Sequence, residues 1–220
     1  AFPAGSAKNG RLMLSGNLQD FPFKKGDGLF DVHATVHGIQ LHYQDLWPDV
    51  YNIGGLLDFK GQGMSIRANS GDIMGVTLHN LTGTIKDLHQ GGIDIHGDVQ
   101  GDLSQGLQFL EATPLSVGKQ FESVQMQGPM RGDLALHIPL HDKHALKTLL
   151  GHIHTEGASL KMPAWNTQLT NLSGDFTYTQ DSISSSRARA TFLGAPAHIV
   201  VSSLAHDNKS SAVQVLLSSQ

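Results

Sequence analysis

"DFPFKKGDGLFDVHATVHGIQLHYQDLWPDV", residues 20–50, opens on a proline between two phenylalanines and closes on a tryptophan against a second proline. Between these marks, Phe30, Val32, Ala34 and Val36 alternate with Asp31, His33, Thr35 and His37. A period of two describes a strand with one dry face and one wet face. Gly38 breaks the phase, after which Ile39, Leu41 and Tyr43 continue it. The stretch reads as a β-hairpin with Gly26-Asp27-Gly28 and Gly38 at its turns. Its aromatic–proline pairs act as strand terminators, because proline at a strand end removes no ladder hydrogen bond. Phe21, Phe23, Trp47 and Trp165 also suit a stacking platform for a sugar or nucleobase, but packing beside a proline-set turn is the simpler reading.

The same alternation returns at Ile93, Ile95, Gly97 and Val99, and again at Leu134, Leu136, Ile138 and Leu140. Further strands are expected over 11–18, 53–59, 63–69, 72–78, 81–87, 123–128, 152–161, 167–178, 181–192, 196–203 and 211–218. Turn residues at Gly61 and Gly63, Ser70-Gly71-Asp72, Gly91-Gly92 and Asp207-Asn208 separate them. Short, evenly spaced strands point to an all-β architecture. Helix is expected in one or two short pieces. One is Asp102–Ala112, with Leu103, Leu107 and Leu110 at helical spacing, Ser104 as N-cap and Pro114 as stop; the other is Asp142–Leu150.

Composition agrees with this reading. Charged residues make up 15% and aromatics 6%, while glycine is frequent at 25 residues, a mix suited to strands and tight turns. The formal charge of -4 comes with scattered Lys and Arg, which argues against nucleic acid as a partner. With no cysteine there is no disulfide, zinc thiolate or thiol nucleophile. The chain starts at Ala1 with no basic-then-apolar leader and no long apolar span, so it reads as an interior piece of a longer chain, 1–220 forming a single segment.

Motifs for chemistry are missing. "GQGMSIR" and "GDGLFDV" lack the third glycine and the strand-to-helix setting of a dinucleotide site, and no GK[ST] or G-x-S-x-G occurs. Asp72, Asp94, Asp98 and Asp175 read as turn or wet-face residues. No enzyme and no cofactor is expected. Thirteen histidines stand out. The pairs His33/His37, His137/His141 and His152/His154 each share a strand face and suit zinc if a third ligand approaches, but the preferred reading is a solvent face with no metal. The sequons at Asn80, Asn171 and Asn208 carry no weight.

So many half-apolar strands with so little helix leave a dry face to cover. A closed sandwich or barrel, a β-solenoid and an open gutter wetted by lipid all satisfy that need, and no fixed-length repeat favours the solenoid.

Several runs then resemble one family. They are L-x-G-x-L-x-DFPF within 12–23, GLFDV at 28–32, LHYQDLWP at 41–48, GxGMSIxAxSGxIxG at 61–75, IxGDVxGDLxxGLxFLxxTPL at 95–115 and FLGAPA at 192–197. Together they resemble the YhdP branch of the AsmA-like proteins, from which the histidine richness departs. The resemblance implies a very long parent protein anchored in the inner membrane of Gram-negative bacteria, with its bulk in the periplasm reaching toward the outer membrane. It also implies phospholipid transport along an extended apolar β-groove, as in the related eukaryotic bridge-like lipid transfer proteins.

The expected fold is therefore a long, twisted, curved, mostly antiparallel sheet forming an open apolar groove. Its partners are phospholipid acyl chains, the two membranes through the parent protein, and adjoining segments of the same chain. Lining residues are expected at Phe30, Val32, Val36, Ile93, Ile95, Val99, Leu134, Leu136, Ile138, Phe176, Tyr178, Ile199, Val201, Val213, Val215 and Leu217. A lipid with roughly 30 methylenes at about 0.8 kcal/mol each risks about 24 kcal/mol when its tails cross water, and an apolar gutter removes most of that barrier. The competing expectation is an all-β envelope scaffold or interaction module that touches no lipid.

Overall fold

Alternation becomes one sheet. The computed structural model describes residues 3–42, 45–89, 91–115, 123–140, 147–206 and 210–219, excepting the side chains of 204–206, 210–213 and 219. The strands are β1 (Ala4–Ser15), β2 (Leu29–Leu41), β3 (Val50–Lys60), β4 (Gly63–Ile73), β5 (Val76–Ile85) and β6 (Gly92–Asp102). After helix α1 (Leu103–Ala112) come β7 (Gln125–Gln127), β8 (Pro129–Pro139), β9 (Thr148–Met162), β10 (Thr167–Thr179), β11 (Ile183–Phe192), β12 (Ala195–His206) and β13 (Ser210–Ser219). Their order in the sheet follows the chain, every pair antiparallel, with β6 beside β8 and the short β7 pairing β9 off the main path. β1 and β13 lie at opposite ends and do not pair with each other, so the sheet is open.

Register carries the apolar parity from strand to strand, because directly opposed residues share a face. Val32 faces Phe59, Phe59 faces Met64, Met64 faces Ile85, Ile85 faces Ile93, and Ile93 faces Ile138. Farther along, Leu136 faces Leu149, Ile153 faces Phe176, Ser185 faces Val201, and Val201 faces Val215. Close packing on this face needs missing side chains: a Cβ at Gly151 would stand 2.3 Å from the ring of Tyr178, so the tyrosine lies over bare backbone.

Four local expectations change. Gly38 is no hairpin turn; at φ 61° it forms a bulge inside β2, and the pairing with β3 slips between Val36 and Ile39. The slip returns Ile39 to the dry face, where it faces Ile53. Ser70-Gly71-Asp72 lies within β4, whose hairpin turn is Met74-Gly75, both at positive φ, closed by the Ile73–Val76 pair. The N-cap of α1 is Asp102 rather than Ser104. Of the second expected helix, Thr148–Leu150 belongs to β9, where Leu149 pairs with Leu136, and 142–146 lie outside the described residues.

Candidate functional site

The floor is the dry face itself. Four buried clusters cover it, centred on Ile93/Ile138/Leu136, Leu169/Leu172/Ile199, Val36/Ile53/Ile66 and Val76/Leu78/Val99. Helix α1 lies over the first and last of these, with Leu107, Phe109 and Leu110 packed on one and Leu103 and Phe109 on the other. The connection between β2 and β3 brings Trp47 onto the same roof: it is only 5% exposed and its ring lies 6.5 Å from that of Phe109. The neck of that connection is clasped. Asp49 accepts hydrogen bonds from Gln40 Nε2 at 2.7 Å and meets His42 Nδ1 at 2.7 Å. These bonds, Gln40 foremost and then His42, hold the Asp49 carboxyl below its ordinary range.

Between floor and roof opens an apolar cavity of about 260 Å³. Nine of the expected residues line it: Ile93, Ile95, Val99, Leu134, Leu136, Phe176, Tyr178, Val201 and Val215. Tyr178 is kept neutral, because burial, with the Asp133 carboxylate adding to it, pushes its hydroxyl well above the usual tyrosine range. The hydroxyl donates to the Asp133 carbonyl at 3.3 Å.

Three expected residues lie under their neighbours: Val36, Ile138 and Ile199, at 1%, 0% and 2% exposed. Phe30 and Val32 are half-buried near the β1 edge, where they face Leu14 and Leu12. Leu217 is exposed on β13 opposite Ile199, and the side chain of Val213, at the position facing Ser203, lies outside the described residues. Trp47, Leu103, Leu107, Phe109, Leu110 and Leu115 also belong to the cavity wall. The spacing of the α1 leucines was readable in the sequence, but not the surface they would cover.

The opposite face is wet and paired. Cross-strand His–Asp contacts run along it: His137 with Asp94 at 2.7 Å, His152 with Asp133 at 3.1 Å, and His154 with Asp175 at 2.7 Å. His33 sits between Asp58 and Asp31, and Arg67 Nη2 reaches Asp58 at 3.0 Å. A shallow polar depression of about 570 Å³ lies here, among His79, Asp98, Arg131 and Asp133. Among the described residues no three His, Asp or Glu side chains are grouped to hold a metal. Of the two bonds open to such a histidine, at least one goes to a carboxylate partner. No helix among the described residues is long and apolar enough to cross a membrane.

Comparison with known proteins adds an independent line. The family model described as YhdP protein matches residues 1–219. The intermembrane phospholipid transporter YhdP of Escherichia coli (strain K12) is 29% identical over 201 residues, 90% of this chain. The chain spans only 16% of that relative's length. No solved structure matches the chain.

Proposed function

The chain belongs to the YhdP protein family, and we propose that it is one length of an apolar conduit along which phospholipid acyl chains pass between two membranes. The observation that carries this reading is the apolar parity of the floor, carried from Val32 on β2 to Val215 on β13 with Ser185 on β11 as a polar step, beside a cavity with almost nothing polar in its wall. A closed-core module has no use for such a cavity in an open sheet. An acyl chain does, because each methylene placed there leaves water at a gain of about 0.8 kcal/mol.

Transport of this kind needs no catalytic group and no cofactor. The likeness to an intermembrane phospholipid transporter supports the same substrate class. A conduit between two membranes places the chain in the periplasm, and in this reading the parent protein is anchored in the inner membrane. Residues 1–220 then form a single segment, and the unpaired sides of β1 and β13 are where adjoining segments of the same chain continue the sheet. The acyl contacts are the nine expected residues that line the cavity, with Trp47 and the α1 stripe added.

Native mass spectrometry of gently purified protein tests this reading. The wild-type chain is expected to carry phospholipid, and Ile95→Asp to lose it while keeping its circular dichroism spectrum. A lipid-free wild type, or lipid transport in cells untouched by Ile95→Asp, would favour the scaffold role instead.

A further inference from the structure

Among the described residues, helix α1 is tied to the rest of the molecule by hydrogen bonds at its N-terminal end and by apolar contact at the other. At its N-terminus, Asp102 Oδ1 accepts from Ser104 N at 2.8 Å and Asp102 Oδ2 from Gly128 N at 2.9 Å. Gln105 Oε1 accepts from Asp102 N at 2.9 Å, and Leu103 N donates to the Gly128 carbonyl at 2.9 Å. These bonds tie the first turn to β6 and to the residue before β8. At the other end, Thr113 N and Oγ1 bond back to the Leu110 carbonyl, within the helix itself. Among the described residues, what holds that end to the rest of the molecule is apolar contact, from Phe109, Leu110 and Leu115 to Trp47 and the floor.

Contacts of this kind are exchangeable. The α1 stripe and an acyl chain are both hydrocarbon, so either satisfies the floor when the other leaves. A phospholipid cannot slide whole beneath a seated helix, however. Its phosphate would follow the tails into a wall with almost no polar group to pair with, and an unpaired charge there is strongly disfavoured. Along the open part of the sheet the headgroup stays in water.

Resting on the conduit reading, we propose that α1 is a gate closed against Trp47. It hinges at the Asp102–Gly128 bonds, and its Phe109–Leu115 end lifts so that acyl chains occupy the floor with their headgroup in solvent. Gly106 sets how closely the gate seats: a Cβ there would stand 2.8 Å from Met130 Sδ on β8.

That contact supplies the test. The chain has no cysteine, so Gly106→Cys with Met130→Cys gives one bridge, a disulfide formed by mild oxidation, that pins α1 to the floor. Trp165→Phe leaves Trp47 as the single tryptophan, excited selectively at the red edge of its absorption. The full 220-residue chain is mixed with vesicles of phosphatidylethanolamine carrying brominated acyl chains, which quench indole on contact.

The reduced protein is expected to show Trp47 quenching. The bridged protein is expected to be quenched at least about tenfold more slowly, and reductant to restore the rate, the reduced form being its own control for folding. Phe109→Ala, which removes the ring against Trp47, is expected to quench faster at limiting lipid. Equal quenching in bridged and reduced forms would overturn the gate while leaving the conduit standing. No quenching in either form would overturn both.

Discussion

Ile138 and Ile95 occupy neighbouring ladder positions on one face, yet they do different work. Ile138 is fully covered, whereas Ile95 stands half-buried in the cavity wall. Ile138→Ala is therefore expected to lower unfolding stability in urea by about 2–5 kcal/mol, the range for large-to-small changes in a packed core. Ile95→Asp is expected to spare most of that stability and to remove bound lipid. The face of each residue was legible in the sequence, because parity alone decides it. Depth was not, because it depends on what lies above. Val36 is covered by Ile39, Ile53, Ile66 and Ala68, and Ile138 lies in the cluster that Leu107 and Phe109 cover. Those neighbours meet across strand pairings and a helix placement that alternation does not specify.

At the scale of the element, α1 was legible because its leucines repeat at helical spacing and a proline follows it. Its cap residue was misplaced by two positions. Asp102 wins over Ser104 because its carboxylate reaches both the first turn and Gly128. Partial burial raises the Asp102 carboxyl, but hydrogen bonds from the Ser104 side chain, Ser104 N–H and Gly128 N–H outweigh it and hold the group below its usual range. A lowered carboxyl stabilises the fold at pH values above its unfolded value, about 4, and that contribution is lost as pH falls through the lower folded value. Helix α1 is thus expected to loosen in acid, read as faster amide exchange at Ser104–Leu107, and Asp102→Asn to flatten that dependence. Asp102→Ala at neutral pH is expected to cost about 1 kcal/mol, with exchange in the same amides about fivefold faster. The strand at Thr148–Leu150, where helix was expected, and the failed turn at 70–72 have a common cause. Leu149 has a partner waiting on β8, and Ser70–Asp72 has partners on β3 and β5, so ladder pairing overrides local preference.

At the scale of the molecule, twelve strands on the main path at about 4.8 Å spacing give a sheet roughly 53 Å across. Alternation could announce a half-apolar sheet but not whether it closes, since a barrel and a gutter bury the same parity. Openness became visible only when β1 and β13 were found at opposite ends. β1 exposes Leu12 at 62% and Leu14 at 47%, and an exposed apolar edge invites strand addition. The 220-residue chain is expected to self-associate in sedimentation velocity, and Leu12→Lys with Leu14→Lys to return it toward monomer.

The central claim is that lipid rides on one face of this sheet. It is tested most directly by placing a photoreactive benzoylphenylalanine in cells at Ile95 on the floor and, separately, at His96 on the wet face. Phospholipid adducts at 95 and none at 96 are the predicted result. Equal adducts at both positions, or none at 95, would contradict it.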